Sequence, residues 1–245
     1  MALFELMEWD TNFFGFKVAR LCEEAPEKLK QVQDICSEQD IRLLISRFST
    51  NNVCFAHELE RHGFQLMDTV VTYRLNLADA RVANVPVPAI IRPCLKSEAD
   101  ELAAIARAVY ASHIGHFHND PRLDRDKCTT LYAELARNSC LDENQADIML
   151  VAEMEGKIVG FHSHKVAHPN GLRGVISGVS HQAQGKGIGK ALIVASANWG
   201  KSWGLEWIEE YPHVNHYRMH KMMADLGFRL CASFYTFHKW FDEVR

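Results

Sequence analysis

Val179-Ser180-His181-Gln182-Ala183-Gln184-Gly185-Lys186-Gly187-Ile188-Gly189-Lys190-Ala191-Leu192 reads as the end of an apolar strand, a glycine-rich loop and the first turn of a helix. Three alternating glycines let backbone N–H groups come close to an anion, and a helix starting near Ile188 aims the positive end of its dipole at it. The stretch is an anion cradle of phosphate size. Spacing excludes two familiar nucleotide loops. A P-loop needs a Gly where Gln184 stands and a Ser or Thr where Ala191 leaves no hydroxyl for a metal. A dinucleotide fingerprint needs its third Gly where Lys190 stands.

Around this loop lies a chain of 245 residues, 47% apolar, long enough for one large or two modest domains. A net charge of −4 gives no electrostatic footprint for nucleic acid. The seven cysteines are scattered and form no Cys-x-x-Cys pair, which predicts thiols of a reducing compartment rather than a disulfide framework or a zinc site. Glu8 and Asp10 interrupt any leader-like start, and no run reaches membrane-spanning length. A cytoplasmic location, with no membrane partner, is expected.

Upstream, Phe13 to Leu21 suggests a strand and Glu24 to Cys36 a helix with Leu29, Val32 and Ile35 on one face. Ile41 to Ser46 is a short strand. Asn51 or Asn52 caps a helix running to Arg61, Gly63 ends it, and Phe64 to Leu77 reads as one or two strands. Shifting the chain by 164 positions lays Ile41–Thr72 on Leu205–Thr236 without a gap. Asn51, Gly63, Phe64, Leu66 and Thr72 meet identical residues, and both copies read strand, Asn-capped helix, Gly-Phe, strand. The N-terminal copy has no counterpart of the glycine loop.

Val85-Pro86-Val87-Pro88 marks a linker, giving an N-terminal domain over 1–80, a linker over 81–89 and a C-terminal domain over 90–245. That domain opens with a strand at Ile90 and a helix capped by Ser97 that runs to Tyr110. Ser112 to Asp124 is polar, aromatic and aperiodic, the pattern of a binding loop, and precedes a helix from Arg125 to Asn138. Hairpins turn at Glu155-Gly156-Lys157 and at Asn170-Gly171, the latter a type I′ signal. After the glycine loop come a helix (Ile188 to Trp203), a strand (Leu205 to Glu210), a helix (His216 to Leu226) and a final hairpin through Trp240.

Gln184, Gly187 and Gly189 fit the pattern Gln/Arg-x-x-Gly-x-Gly/Ala, and with this element order the domain resembles the GNAT N-acetyltransferases. The resemblance implies an α/β (α+β) GNAT fold, a mixed central sheet with flanking helices, preceded by a partial GNAT-like N-terminal domain. It implies acetyl-CoA as cosubstrate, its pyrophosphate surrounded by Gln184, Gly185, Lys186, Gly187, Ile188, Gly189 and Lys190. Backbone groups of Ser177 and Val179 would pair the pantetheine arm, and Asn215 joins the coenzyme set. Family members often protonate the leaving thiolate from a Tyr four residues before the Gly of Gly-Phe; here that position is Met223, which has no proton to give.

Acetyl transfer to an amine needs a neutral amine, a stabilised oxyanion and a proton for the thiolate. His220 and Tyr217 are the substitute acids, although a thiolate also leaves unprotonated. Glu209 and Glu210, adjacent on one strand, are the candidate bases, one of which faces inward. His162 and His164 share a strand face toward the same cleft. They, or His113, His116 and His118, have metal-ligand character, but no Cys or carboxylate stands at ligand spacing, so no metal is expected.

Trp9 to Phe16, and Phe117 to Leu123 before a helix containing Tyr132, are similar to stretches of the dTDP-fucosamine acetyltransferases. That narrower resemblance implies a primary amine on a dTDP-linked amino sugar as acceptor. Arg122, Lys127 and Lys165 would meet a diphosphate, and His116, Phe117 and His118 would stack on sugar or base. The partners expected are a small-molecule amine, a nucleotide sugar and a second copy in a homodimer. Two other readings stay open: acetylation of another small amine, and a non-catalytic acyl-CoA-binding module.

Overall fold

The computed structural model describes residues 3–78 and 85–241. Its strands are β1 (Phe4–Leu6), β2 (Lys17–Leu21), β3 (Ile41–Ser49), β4 (Gln65–Asn76), β5 (Ile90–Pro93), β6 (Ile148–Met154), β7 (Lys157–Ala167), β8 (Gly171–Val179), β9 (Trp207–Glu210) and β10 (Arg229–Trp240). Its helices are α1 (Glu8–Phe14), α2 (Leu29–Glu38), α3 (Val53–Arg61), α4 (Ala99–Tyr110), α5 (His116–Asn119), α6 (Arg125–Leu141), α7 (Ile188–Ser202) and α8 (Tyr217–Asp225).

Two compact units form, neither continuous in sequence. The first takes Met1–Val71, Ile114–Arg122 and Ala232–Arg245; the second takes Thr72–His113 and Leu123–Cys231. The linear division at 81–89 therefore differs from the clustering: 114–122 and the end of the chain group with the N-terminal residues. Residues 81–84 of the expected linker lie outside the described residues.

In the first unit β1, β2, β3 and β10 are neighbours, with β2 parallel to β3 and β10 antiparallel to β3. Leu29, Val32, Phe48, Phe55, Leu59 and Phe237 fill the core beneath them. In the second unit the order is β4, β9, β8, β7, β6, β5; only β8 and β9 run parallel. Alternate residues of β6 serve both faces of this sheet. Ile148 and Leu150 pack with Leu192, Ile193 and Ala197 of α7, while Met149 and Val151 pack with Leu102 and Ala106 of α4 and Ala136 of α6. A fully buried Leu such as Leu102 contributes on the order of 2 kcal/mol.

The repeat read from the sequence is present in the backbone. Val53–Arg61 and Tyr217–Asp225 are helices of equal length 164 positions apart, as Gln65–Asn76 and Arg229–Trp240 are strands. Asn52 caps α3 by accepting from the Phe55 N–H, and His216 caps α8 by accepting from the Met219 N–H. Gly63 and Gly227 end the helices at φ +76° and +83°. The pairings repeat as well. Tyr73 lies opposite Glu210, and the shifted pair, Phe237 opposite Ser46, has the same register. Each copy's long strand pairs with the other copy's central strand.

Several local expectations are corrected. Phe13 and Phe14 end a helix rather than start a strand: Gly15, at φ +80°, closes α1 by donating to the Thr11 carbonyl, and β2 begins at Lys17. Residues 65–76 form one strand, and 229–240 form one strand rather than a hairpin. Ser97 caps nothing; a short 3-10 turn over Lys96–Glu98 leads into α4, and the Glu98 carboxylate accepts from the Leu95 N–H at 2.8 Å. The turn before β8 is not type I′, because only Asn170 has a positive φ, and its His168–Pro169 bond is cis. The aperiodic segment contains a single helical turn, α5.

Candidate functional site

In the second unit β8 and β9 pair in parallel only from Gly171 to Arg173, against Trp207 to Glu209. Beyond Arg173 the pairing with β9 stops, because β9 itself ends at Glu210 while β8 runs on to Val179. Val179 feeds a 3-10 turn over His181–Ala183, after which Gly185 and Gly187 take φ +78° and +81°, a left-handed geometry that L side chains rarely adopt. Gly187 occupies the N-cap of α7, whose first turn has neither a capping side chain nor an acidic residue. A Cβ on Gly187 would lie 3.2 Å from Val87 Cγ1. Gln184 to Gly187 are exposed, Ile188 is buried, and Gly189 and Lys190 are half-buried. An exposed fifteen-residue helix terminus with open N–H groups beside Lys186 and Lys190 has the form a pyrophosphate requires.

The two backbone carbonyls expected for the pantetheine arm have protein partners. The Tyr110 hydroxyl donates to the Ser177 carbonyl at 3.1 Å, and Gln184 Nε2 donates to the Val179 carbonyl at 3.1 Å. Tyr110 stacks on Tyr132 with ring centroids 4.4 Å apart. Burial pushes its phenol up to about 12, so it stays a donor at neutral pH. The sequence reading missed Tyr110, which closes a helix and carries no motif of its own.

At the end of β9, Glu209 and Glu210 face different partners. Arg74 Nε donates to Glu209 Oε1 at 2.7 Å, the Tyr211 hydroxyl donates to Oε2, and Arg173 Nε lies 3.5 Å from it. Arg74 also covers the Trp207 ring at 4.6 Å. Glu209 is thus a clamp joining β4, β9 and β8, with both oxygens engaged. Glu210 turns to β7, where His164 Nε2 donates to its Oε1 at 2.8 Å and His162 Nε2 lies 3.3 Å from its Oε2. All three are buried, at 0–4% exposure, so each needs its partners. Burial opposes the Glu210 charge, but the two imidazoles outweigh it and hold the carboxyl down at about 2. Burial, reinforced by His162, pushes His164 down to about 4 and leaves it neutral at pH 7.

The same three residues bring donor atoms within 4.8 Å of one another, close enough for a metal ion. The sequence argument against a metal, that no carboxylate stands near the histidines, does not survive folding: Glu210 comes from 46 positions beyond His164. The chemistry nonetheless fits a hydrogen-bonded carboxylate–imidazole set. His164 Nδ1 is buried with no hydrogen-bond partner, whereas a metal-bound imidazole is normally held by its second nitrogen.

The remaining candidates of this unit fall on the loop before α8 and on its first turns. His220 Nε2 donates to the Val214 carbonyl at 2.9 Å, which ties the ring to the loop. Tyr217 is 74% exposed. Asn215 is exposed, its N–H donating to His213 Nδ1 at 3.1 Å. Met223 is fully buried in the core. Lys165, expected to meet a diphosphate, instead donates to the Glu143 carbonyl at 2.6 Å and to Asp147 at 3.2 Å.

Of the acceptor candidates, His116, Phe117, His118 and Arg122 lie in the first unit, whereas His162, His164, Lys127 and Lys165 lie in the second. Phe117 packs on Phe14, linking the two stretches that carry the narrower resemblance, at a centroid distance of 5.1 Å. His116 lies 4.0 Å from the Phe117 ring, and His118 is buried beside it on α5. Arg122 covers Trp240 at 4.7 Å, and Phe16 meets the same indole at 5.3 Å. The fold adds residues that the sequence reading did not single out. His238 Nδ1 donates to Asp120 Oδ2 at 2.6 Å, Trp240 Nε1 donates to the same oxygen at 2.8 Å, and His238 Nε2 shares a proton with His116 Nδ1 at 2.9 Å. Burial disfavours the Asp120 charge, yet these donors and the Arg122 N–H keep its pKa below the ordinary value. Strand alternation was the available signal, since it puts His238 and Trp240 on one face of β10.

Residues 112–228 match the model described as the acetyltransferase (GNAT) family. The mycothiol acetyltransferase of Arthrobacter sp. (strain FB24) is 26% identical over 185 residues, covering 73% of this chain and 54% of that protein. The mycothiol acetyltransferase of Propionibacterium freudenreichii subsp. shermanii is 28% identical over 139 residues, 55% of this chain and 41% of that one. The chain spans about half the length of the curated relatives it matches. Among solved structures, a tandem GNAT protein from the clavulanic acid biosynthesis pathway superposes with a TM-score of 0.63 at 13% identity, over 91% of this chain and 75% of that one. A GCN5-related N-acetyltransferase from Sphaerobacter thermophilus gives 0.65 at 11%, over 97% and 76%. The fold is the GNAT fold, a mixed sheet with flanking helices, and the tandem neighbour fits a partial GNAT-like region ahead of the complete one. No helix among the described residues is long and apolar enough to cross a membrane.

Proposed function

We propose that this chain, with its GNAT fold and its match to the acetyltransferase family over residues 112–228, is an acetyl-CoA-dependent N-acetyltransferase acting on the primary amine of a small molecule. The observation that carries the reading is the loop with left-handed Gly185 and Gly187 that caps α7 at the end of β8, a strand that outruns its parallel neighbour β9. Bound there, acetyl-CoA would supply an activated thioester. Loop N–H groups and the α7 dipole hold its pyrophosphate, with Lys186 and Lys190 adding charge. The arm lies along Ser177 to Val179 and shares their carbonyls with Tyr110 and Gln184.

At the end of β9, Glu210 stays ionised and orients His162, which drains the proton of the attacking amine. His164, neutral, holds the carboxylate from the other side. With Met223 in place of the usual tyrosine, the thiolate leaves unprotonated or takes its proton from Tyr217 or His220. The acceptor, in this reading, is an amino sugar carried on a nucleotide. The aromatic and histidine cluster of Phe14, Phe16, His116, Phe117 and Trp240 supports a sugar or base ligand. The names of the curated relatives support the acceptor of the mycothiol acetyltransferases as the second candidate.

Free-thiol release tests the reading. Protein and acetyl-CoA are mixed with a panel holding a dTDP-4-amino-6-deoxyhexose, the mycothiol acetyltransferase acceptor and simple amines. Release with the dTDP sugar alone is the expected outcome. Release with another amine moves the acceptor, and none with any amine despite acetyl-CoA binding leaves a binding module.

A further inference from the structure

Cys94 directly follows β5, and Cys140 lies in the last turn of α6, both within the second unit. Their sulfurs are 3.2 Å apart although 46 positions separate them in the chain. Both thiols donate to one acceptor, the Leu95 carbonyl, at 3.3 and 3.4 Å. With both hydrogens drawn to that oxygen, the sulfurs face each other with nothing between them.

The surroundings hold this arrangement. Arg92 donates to Glu98 at 2.6 and 3.0 Å and to Glu153 at 2.8 Å, and the Glu98 carboxylate accepts from the Leu95 N–H. The segment carrying Cys94 is therefore fixed on both sides. All seven cysteines are reduced, but this pair is half-buried, whereas Cys36 and Cys128 are buried and Cys22, Cys54 and Cys231 are exposed. A disulfide bond needs about 2.05 Å, so the sulfurs have to close by only about 1 Å. Burial and the neighbouring thiol push the Cys94 pKa up, so Cys94 stays a thiol at neutral pH.

From this geometry we infer that Cys94 and Cys140 form a redox modification site, oxidised to an intramolecular disulfide by a low-molecular-weight disulfide. The inference does not depend on acetyl transfer. One cysteine, as its thiolate, attacks a sulfur of oxidised glutathione, breaking that S–S bond and expelling one glutathione thiolate. The second cysteine then attacks the protein-side sulfur of the mixed disulfide and expels the other glutathione. The two cysteines lose two electrons and two protons; both protons end on the two reduced glutathiones. The product staples the connection between β5 and α4 to the last turn of α6, at the opposite end of α4 from the Tyr110–Tyr132 stack.

The test is exposure of the full chain to oxidised glutathione, quenching with an alkylating reagent, and mass spectrometry with non-reducing peptide mapping. The expected result is a Cys94–Cys140 peptide two hydrogen atoms lighter than the two reduced peptides together, with neither cysteine alkylated, and reversed by dithiothreitol. Cys94→Ser and Cys140→Ser are each expected to abolish that peptide, while exposed Cys22, Cys54 and Cys231 still take glutathione and report reagent access. A different cross-link, or mixed disulfides at the exposed cysteines with Cys94 and Cys140 both still alkylated, overturns the inference. A short bifunctional thiol reagent bridging the two positions in the unmodified chain checks their proximity without either substitution.

Discussion

Gly174 shows how much one missing Cβ decides. A methyl placed there would lie 2.5 Å from Glu210 Oε2 and 3.1 Å from its Cδ, and Glu210 cannot swing away without leaving two buried imidazoles unpaired. Gly174→Ala is expected to lower stability by about 1–3 kcal/mol and to reduce turnover at least about tenfold; wild-type turnover by thiol release, with an unchanged melting temperature, would show that Glu210 needs no such room. The same cluster sets an acid limit. An unfolded histidine gains a proton near its ordinary 6.5, but folded His164 resists until about 4, so the unfolded chain binds more protons between those values and stability falls as pH drops. Glu210, held at about 2 against an ordinary 4.5, extends the loss with the same sign at lower pH. Denaturation midpoints between pH 7 and 4 are expected to fall steeply for the natural chain and less steeply for His164→Gln; parallel curves would contradict the assignment. Histidine pairs and Glu209-Glu210 were legible in the sequence, but which glutamate meets the histidines was not, because it turns on the register of β7 and β9 on β8, which lies between them.

At the scale of elements, the loop into α7 is the feature on which the proposed coenzyme site rests. Gly187 sits at φ +81° with Val87 at 3.2 Å from its missing Cβ, so Gly187→Val strains the backbone and fills the cradle together. Acetyl-CoA affinity, read by calorimetry, is expected to fall by about two orders of magnitude, about 3 kcal/mol. Retained affinity would remove the pyrophosphate from this loop. The loop, the Asn52 cap and α4, α6, α7 and α8 were readable because glycines, capping side chains and apolar periodicity act within a few residues. The misread elements failed for the same reason. Phe13 and Phe14 look like strand residues locally, yet Gly15 ends a helix there; β10 contains no turn signal and crosses without a hairpin because β3 supplies its partner.

For the whole molecule, the exchange of long strands is decisive. Residues 234–240 of β10 pair with β3, and residues 73–76 of β4 pair with β9. A fragment of residues 90–245 loses the partner of β9 and leaves Phe237, 2% exposed in the full chain, without its core. It is expected to aggregate or to be digested rapidly in limited proteolysis, whereas the full chain resists; a monomeric, cooperatively melting fragment would support the linear domain division instead. Asp120→Asn tests the first unit. It removes the charge that His238 and Trp240 share, and a stability loss of about 1–3 kcal/mol in urea is expected, with an unchanged curve as the contrary result.

By itself the sequence determined the anion loop, the GNAT resemblance drawn from it, the internal repeat with its shift of 164, and the loss of the usual tyrosine at Met223. All of these are written in short spacings, where glycine geometry, capping and periodicity operate. Tertiary structure alone decided that Glu210 joins His162 and His164, that His238 and Trp240 complete the Asp120 cluster, and that Cys94 faces Cys140. Those meetings span tens to more than a hundred positions, and they follow from strand register and helix packing, which no local run of residues encodes.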